Sequence, residues 1–228
     1  IGESAFASIQ TLESIDTAFG SSLKSIGDSA FASSGLKAID VPFFVETIGD
    51  SAFESCTALT NVTFQDGVND GHQLKTLGVR VFAKTNVTSV IFPDSLISIG
   101  TGGFLNCSRL TVATFPAASE LSSLGSYAFQ GTGISTIAIP AKVSTLSGTF
   151  MHCTSLVSVT FPGNSQLVAI NDDTFRQSGI SGEFTVPATV KLIGNGAFQY
   201  TQNAYVLKFV ENSLLSSIGT AAFMGSGI

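Results

Sequence analysis

The apolar residues of this chain follow one pattern that recurs every 21 to 29 residues along its whole length. In eight of its ten copies the pattern contains an aliphatic residue, a glycine and, four residues after the glycine, a phenylalanine. The hexapeptide IGDSAF is the clearest copy, since it stands at residues 26–31 and again at 48–53. Ten phenylalanines mark the repeats: Phe6, Phe31, Phe53, Phe82, Phe104, Phe129, Phe150, Phe175, Phe198 and Phe223. Such periods are typical of solenoids, so the pattern predicts about nine stacked coils around a buried phenylalanine column.

Two extended segments lie between successive phenylalanines. The first carries apolar residues at i, i+3 and i+5, as in Leu36, Ile39 and Val41, which predicts a bend followed by a strand with one buried face. Proline cannot donate to a strand ladder, and all six prolines follow this segment: Pro42, Pro93, Pro116, Pro140, Pro162 and Pro187. The second segment pairs two apolar residues, such as Val45 and Ile48, and predicts a shorter strand.

The motif itself predicts a tight corner. Its glycines are Gly2, Gly27, Gly49, Gly78, Gly100, Gly125, Gly194 and Gly219. Asn171 stands at the same position, and asparagine tolerates positive φ better than other non-glycine residues, so we expect a left-handed turn there. Asp28 and Ser29 are placed to cap a single helical turn. The variant motif LSGTF is one residue short, which predicts a local distortion at Ser147 and Gly148.

Long and short repeats alternate along the chain. The segments SCTAL, NCSRL and HCTSL follow Phe53, Phe104 and Phe150 in the long repeats, whereas SSGL, GTGI, QSGI and GSGI stand at the corresponding place in short ones. This alternation favours a structural unit of two repeats, about 47 residues long.

Composition argues against two classes of partner. Charged residues make up 11% of the chain, well below the roughly 25% of an average soluble domain, and the net charge is −6. Because Lys and Arg form no cluster that could follow phosphates, we expect no nucleic-acid partner. No apolar run approaches the roughly 20 residues of a membrane helix, so we expect no membrane insertion within this stretch.

The three cysteines, Cys56, Cys107 and Cys153, all stand three residues after a phenylalanine. Other repeats place serine or threonine there, which indicates a small, buried and weakly polar position. The cysteines also lie two repeats apart, which corresponds to about 10 Å in a stack of strands, more than the roughly 7 Å that a disulfide can span. We therefore expect three free thiols.

No constellation of residues points to catalysis or to a cofactor, and we expect neither. His152 precedes Cys153, but adjacent side chains on a strand or turn point apart, which argues against a base-activated nucleophile. The segment containing Asp66, Asn69 and Asp70 lacks the alternating ligand spacing and the closing glutamate of a calcium loop, so we expect no metal site.

Residues 36–56, LKAIDVPFFVETIGDSAFESC, are similar to the pattern LxxIxIPxxVxxIGxxAFxxC of the BspA-like leucine-rich repeat family, and the resemblance covers essentially the whole chain. It implies a leucine-rich repeat solenoid of the α/β horseshoe type, rich in strands, with a parallel sheet on one face and short helical turns elsewhere. It also implies a non-enzymatic protein, outside the cell or on the surface of bacteria or protozoa, that binds a host or matrix protein. The extended repeat at 53–82 and the short one at 129–150 depart from the pattern.

Residues 1–228 are expected to form a single solenoid. Neither end has the polar capping repeat that protects a solenoid's apolar end, so we expect the chain to be part of a longer array.

The outward positions of the first strand are the candidate binding surface. They are Asp40, Thr63, Ile91, Thr114, Ala138, Thr160, Thr185 and Lys208. Four of the eight are threonine, which predicts an uncharged and mildly apolar ladder. A protein partner suits such a face, whereas irregular repeat lengths and the interruptions at Asp40, Ile91 and Lys208 argue against an ice-binding array. Ordinary β-propensity at solvated positions would also explain the threonines.

Three glycosylation sequons occur, at Asn61, Asn86 and Asn106. Their use would require a eukaryotic secretory route, and a glycan at Asn61 would stand on the strand face itself.

Two functions follow from these patterns. The first is an adhesin-like, protein-binding repeat module. The alternative is an architectural spacer or self-assembling subunit whose partners are copies of itself.

Overall fold

The computed structural model describes residues 1–16, 22–65 and 72–228 and forms a solenoid of stacked coils. A typical coil contributes one longer strand, one two-residue strand and one corner of consecutive turns. Numbered in chain order, the longer strands are β2 (Ala38–Val41), β4 (Asn61–Phe64), β6 (Ser89–Ile91), β8 (Val112–Thr114), β10 (Thr136–Ala138), β12 (Ser158–Thr160), β14 (Gly182–Val186) and β16 (Tyr205–Phe209). The short strands are β1 (Ser25–Ile26), β3 (Thr47–Ile48), β5 (Thr76–Leu77), β7 (Ser98–Ile99), β9 (Ser123–Leu124), β11 (Thr145–Leu146), β13 (Ala169–Ile170), β15 (Leu192–Ile193) and β17 (Ser217–Ile218).

All pairing between these strands is parallel, and it runs from one coil to a neighbouring one. The short strands form two sheets, β1-β3-β5-β7-β9 and β11-β13-β15-β17, which are separated at the repeat that is one residue short. The longer strands pair two by two, as β2-β4, β6-β8, β10-β12 and β14-β16. This pairing has the two-coil period that the alternation of long and short repeats predicts.

The phenylalanine column is confirmed. Consecutive rings are stacked along the whole solenoid, with centroids 5.1 to 5.9 Å apart. The eight rings from Phe31 to Phe198 have no exposed surface, whereas Phe6 and Phe223 are partly buried. The apolar positions predicted for the two strands, such as Leu36, Ile39 and Val45, are buried around the column.

The predicted helical turns are wrong, because the described residues contain no helix. In each corner the residues two before and two after the phenylalanine have φ between 52° and 68°. These are Ser4, Ser29, Ser51, Arg80, Gly102, Tyr127, Gly148, Asp173, Gly196 and Ala221 before it, and Ser8, Ser33, Ser55, Lys84, Asn106, Gly131, His152, Gln177, Tyr200 and Gly225 after it. A left-handed residue interrupts a right-handed helical turn, so no helix can form across the corner.

The corner makes hydrogen bonds between coils instead of within a helix. Backbone N–H groups of Ser29, Phe31 and Ser33 donate to carbonyl groups of the next coil, at 2.8 Å each. The Asp28 carboxylate does not cap its own turn, since it accepts the N–H of Asp50 in the next coil at 2.8 Å. The predicted N-cap at Asp28 and Ser29 is therefore also wrong.

The glycine of the motif is needed for close approach and not for a left-handed turn. None of the motif glycines has positive φ, nor has Asn171. A Cβ atom at Gly125 would lie 2.4 Å from the backbone nitrogen of Thr101 in the preceding coil. Asn171 follows the one motif from which a residue is missing. The predicted distortion is present there, with bends at Ser147 and Gly148 and no pairing between β9 and β11.

We expect Phe104→Ala to lower the free energy of unfolding by about 3–5 kcal/mol, because it leaves a ring-sized cavity between two stacked neighbours. Denaturant unfolding followed by circular dichroism measures this loss. Phe44→Ala is the matched control, since Phe44 is 37% exposed and its loss should cost about 1 kcal/mol or less. Equal losses for the two variants would contradict the role of the column.

Gly125→Ala should destabilise the fold by about 1–3 kcal/mol, because the new methyl group forces the two corner backbones apart. Gly163→Ala tests the same exchange where no atom lies within 4 Å of the new methyl group, and it should leave the melting temperature nearly unchanged. A neutral Gly125→Ala would show that the coils do not need this approach.

Candidate functional site

The outward positions predicted from the sequence lie together on one face of the solenoid. The strand pairs place them side by side in register, as Asp40 with Thr63, Ile91 with Thr114, Ala138 with Thr160 and Thr185 with Lys208. Seven of the eight residues are exposed, and Thr185 is half-buried. Alternation along a strand sends their neighbours into the core, where Ile39 and Val62 are examples.

A second outward column runs beside the first and was not part of the sequence prediction. It consists of Ala38, Asn61, Ser89, Val112, Thr136, Ser158, Glu183 and Val206, each two residues before a member of the first column. The two-residue period of a strand would have found them. We call the sixteen residues of both columns the strand face. It includes large exposed aliphatic side chains, with Ile91 71%, Val206 64% and Val112 49% exposed.

Charges on the strand face lie towards its two ends and have partners there. The Asp40 carboxylate accepts hydrogen bonds from the Thr63 hydroxyl at 2.6 Å and the Gln65 amide at 2.7 Å. At the other end, Glu183 accepts from the Thr185 hydroxyl at 3.1 Å and from Lys208 at 3.3 Å. The outward positions of β6, β8, β10 and β12 between them carry only uncharged side chains. The middle of the face can therefore be desolvated without stripping water from a charge.

Three grooves cross the strand face where the pairing of longer strands is interrupted. They have volumes of about 450 Å³ between β4 and β6, about 470 Å³ between β8 and β10, and about 480 Å³ between β12 and β14. Prolines that follow the strands line two of them, with Pro93 and Pro116 in the first and Pro162 and Pro187 in the third. The grooves are depressions in a surface whose columns of side chains are otherwise regularly spaced.

The cysteines are free and buried, as predicted. The thiols of Cys56, Cys107 and Cys153 donate to the carbonyl oxygens of Phe31, Phe82 and Phe129 in a preceding coil, at 3.0, 2.9 and 3.0 Å. Burial raises the pKa of all three thiols, since the interior disfavours the thiolate. These are structural positions without the ionised sulfur that nucleophilic chemistry requires.

The remaining chemical candidates are separated by the fold. His152 is exposed while Cys153 is buried, and His72 lines the first groove beside Phe64, 6.4 Å between ring centroids. Among the described residues no group of three or more His, Cys, Asp or Glu side chains could hold a metal ion. The acidic segment with Asp66, Asn69 and Asp70 lies outside the described residues.

The three sequons differ in their surroundings. Asn61 is exposed within the strand face and lines the first groove. Asn86 is engaged, since its side-chain amide donates to the Thr57 carbonyl at 2.7 Å. Asn106 is exposed in a corner with a φ of 58°. Glycosylation at these sites stays a prediction.

The described part of the chain contains no helix with the length and apolar character needed to cross a membrane.

A model of the BspA-type leucine-rich repeat region, written as six copies of the repeat, matches residues 1–73, 75–205 and 168–228. The chain belongs to the BspA-type leucine-rich repeat family. Its members are generally repeat modules that bind proteins and generally lack catalytic activity. No curated protein is significantly similar in sequence.

Solved structures agree on the fold. A leucine-rich repeat protein from Bacteroides ovatus aligns over 99% of this chain and 67% of its own, with 24% identity and a TM-score of 0.60. The pneumococcal vaccine antigen PcpA aligns over 95% of this chain and 65% of its own, with 19% identity and a TM-score of 0.56. A leucine-rich cell surface protein from Faecalibacterium prausnitzii aligns over 82% and 64%, with 22% identity and a TM-score of 0.50. The alignments thus span about two thirds of these longer chains.

We expect the native thiols to react with Ellman's reagent at pH 8 at least about 100-fold more slowly than in guanidinium, where all three should react. The pKa values of the three thiols are raised in the folded state, so the protonated thiols contribute their full stability to the fold below the ordinary thiol pKa of about 8.5. This contribution to the free energy of unfolding is lost as the pH rises towards the folded pKa values. Denaturant midpoints of unfolding, measured at several pH values from about 7 to about 10, report this loss of stability. Rapid native labelling would contradict the buried column.

Proposed function

We propose that this chain is an adhesin-like module at the cell surface that binds a host or matrix protein through its strand face. The observation that carries the proposal is the uncharged middle of that face, where exposed Ile91 and Val112 lie between hydroxyl side chains. Partnered charges at Asp40 and Glu183 flank this middle region. An apolar centre with a polar rim is the usual anatomy of a protein interface.

The energetics favour a large, rigid partner surface over a small ligand. Burying apolar area contributes about 25 cal/mol per Å², and a flat array of short side chains gains this only when a wide surface covers it. The side chains of the middle region are mostly serine, threonine, valine and alanine, which lose little rotamer entropy on binding. Ile91 is its most exposed large apolar residue, and we infer that it lies at the centre of the contact.

One observation supports a location at the cell surface, and the composition bears on how the protein would adhere there. One aligned structure, from Faecalibacterium prausnitzii, is described as a leucine-rich cell surface protein. The chain also derives its polar surface mainly from uncharged residues, with only 11% charged residues, so its adhesion would depend little on salt. The proposal extends the cell-surface location of that protein to this one.

Surface plasmon resonance on a panel of purified matrix and serum proteins tests the proposal. We expect saturable binding by the protein and a loss of at least about tenfold in affinity for Ile91→Glu, because a charge would be buried at the centre of the contact. The matched control is Ile97→Glu, since Ile97 is 43% exposed but lies outside the strand face, and its affinity should be unchanged.

Absence of saturable binding to any member of the panel would count against the adhesin role. If sedimentation also showed self-association that Ile91→Glu abolished, the strand face would instead join copies of the chain, and the architectural alternative would replace the proposal.

A further inference from the structure

A pocket of about 460 Å³ lies outside the strand face, between the corners and the longer strands of three successive coils. Its lining includes Thr154, Gln177, Ser178, Tyr200, Gln202 and Asn203. This set combines one aromatic ring with hydroxyl and amide groups. We propose that the pocket binds a neutral saccharide.

The aromatic ring is held in place by the neighbouring coil. Tyr200 is 38% exposed, and its ring occupies the space that a side chain at Gly225 would fill, since a Cβ atom there would lie 2.6 Å from the ring carbon Cδ1. A ring packed in this way loses little conformational freedom on binding. Its exposed part offers an apolar surface to the C–H groups of a sugar ring.

The amide side chains supply the polar contacts that sugar hydroxyls need. Gln177, Gln202 and Asn203 are exposed around the pocket. Asn203 is anchored because its amide nitrogen donates to the Gly179 carbonyl at 2.8 Å. Each amide offers both donors and an acceptor, which matches hydroxyl groups that do the same. Among the described residues no charged side chain lines the pocket, so an acidic or phosphorylated sugar would find no counter-charge from them.

Ser178 forms part of the pocket lining, but its hydroxyl is buried. The residue is 4% exposed and contributes to the lining, yet its hydroxyl has no hydrogen-bond partner among the described residues. Thr132, at the corresponding position of another coil, donates instead to the Phe129 carbonyl at 2.9 Å. A buried hydroxyl without a partner is unfavourable, and because this oxygen has no accessible surface, the polar contacts to a sugar come from the amide side chains instead.

The backbone holds the site in one geometry. Gln177 and Tyr200 occupy the same left-handed position in successive corners, with φ of 54° and 60°. Gly179 brings this segment against the preceding coil, since a Cβ atom there would lie 2.3 Å from the Thr154 carbonyl oxygen. A pocket built on corners fixed by hydrogen bonds binds without first having to order its loops.

Isothermal titration calorimetry with triacetylchitotriose, maltotriose and lacto-N-tetraose tests the proposal. We expect saturable binding of at least one of them with Kd of about 0.1–5 mM, typical of a single sugar subsite on a shallow surface. Tyr200→Ala should weaken binding at least about tenfold, and Gln177→Ala about threefold, with both variants still folded because neither side chain is part of the buried core.

Tyr127→Ala is the matched control. Tyr127 is 40% exposed and its ring packs over Gly148 as that of Tyr200 does over Gly225, but it lies outside the pocket. Its removal should leave the affinity unchanged. The chain has no tryptophan, so the fluorescence of the Tyr127→Ala variant comes from Tyr200 and from the buried Tyr205. A change in this fluorescence on addition of a saccharide would therefore report on Tyr200.

No saturable binding of the three saccharides up to about 20 mM would overturn the proposal, as would an affinity that Tyr200→Ala leaves intact. The pocket shares no residue with the strand face, so this proposal and the protein-binding proposal can fail separately.

Discussion

The distance between neighbouring coils is the constraint on which the structure depends. Parallel strand pairing and the hydrogen bonds of the corners hold each coil against the next, and both require backbones about 5 Å apart. The phenylalanine rings stack at 5.1 to 5.9 Å, so aromatic packing and backbone pairing demand nearly the same separation. Agreement between the two lets every phenylalanine at this position stack on the next without disturbing the backbone pairing.

In the corners, the close spacing of the coils requires an unfavourable backbone conformation. Fifteen residues besides glycine adopt left-handed φ in the corners, a conformation less favourable by about 1–2 kcal/mol each. The hydrogen bonds that this conformation aims at the next coil, such as that from Ser29 to Asp50, offset the cost only while the coils stay in contact. Stability therefore belongs to the stack and not to any single repeat, as in other solenoids.

The sequence predicts those features that follow from side-chain periodicity. The buried column, the alternation of Ile39 and Asp40 and the two-coil pairing all have a pattern that can be counted. The conformation of the corner could not be predicted in this way. A glycine at such a position can serve either positive φ or close approach of two backbones, and an aspartate can either cap its own turn or bind a neighbouring coil. Gly125 has no positive φ and serves close approach, and Asp28 binds the next coil instead of capping its own. Contacts with a neighbouring coil decide the role of each residue, and the sequence around the residue does not contain these contacts. The pocket at Tyr200 was missed for the same reason, since its lining comes from three coils.

The difference between positions that contact the next coil and positions that face solvent also explains which residues can vary to bind different ligands. Columns that touch the next coil, such as the phenylalanine and glycine columns, allow little change because a substitution displaces two neighbours at once. The outward strand positions and the residues after each phenylalanine meet solvent, and they differ from coil to coil while the backbone stays fixed. Ile91 stands beside Thr114 in one strand pair, and Gln177 stands beside Tyr200 in adjacent corners. A solenoid of this kind can thus carry distinct binding chemistry on separate faces, because one set of buried columns positions all of them.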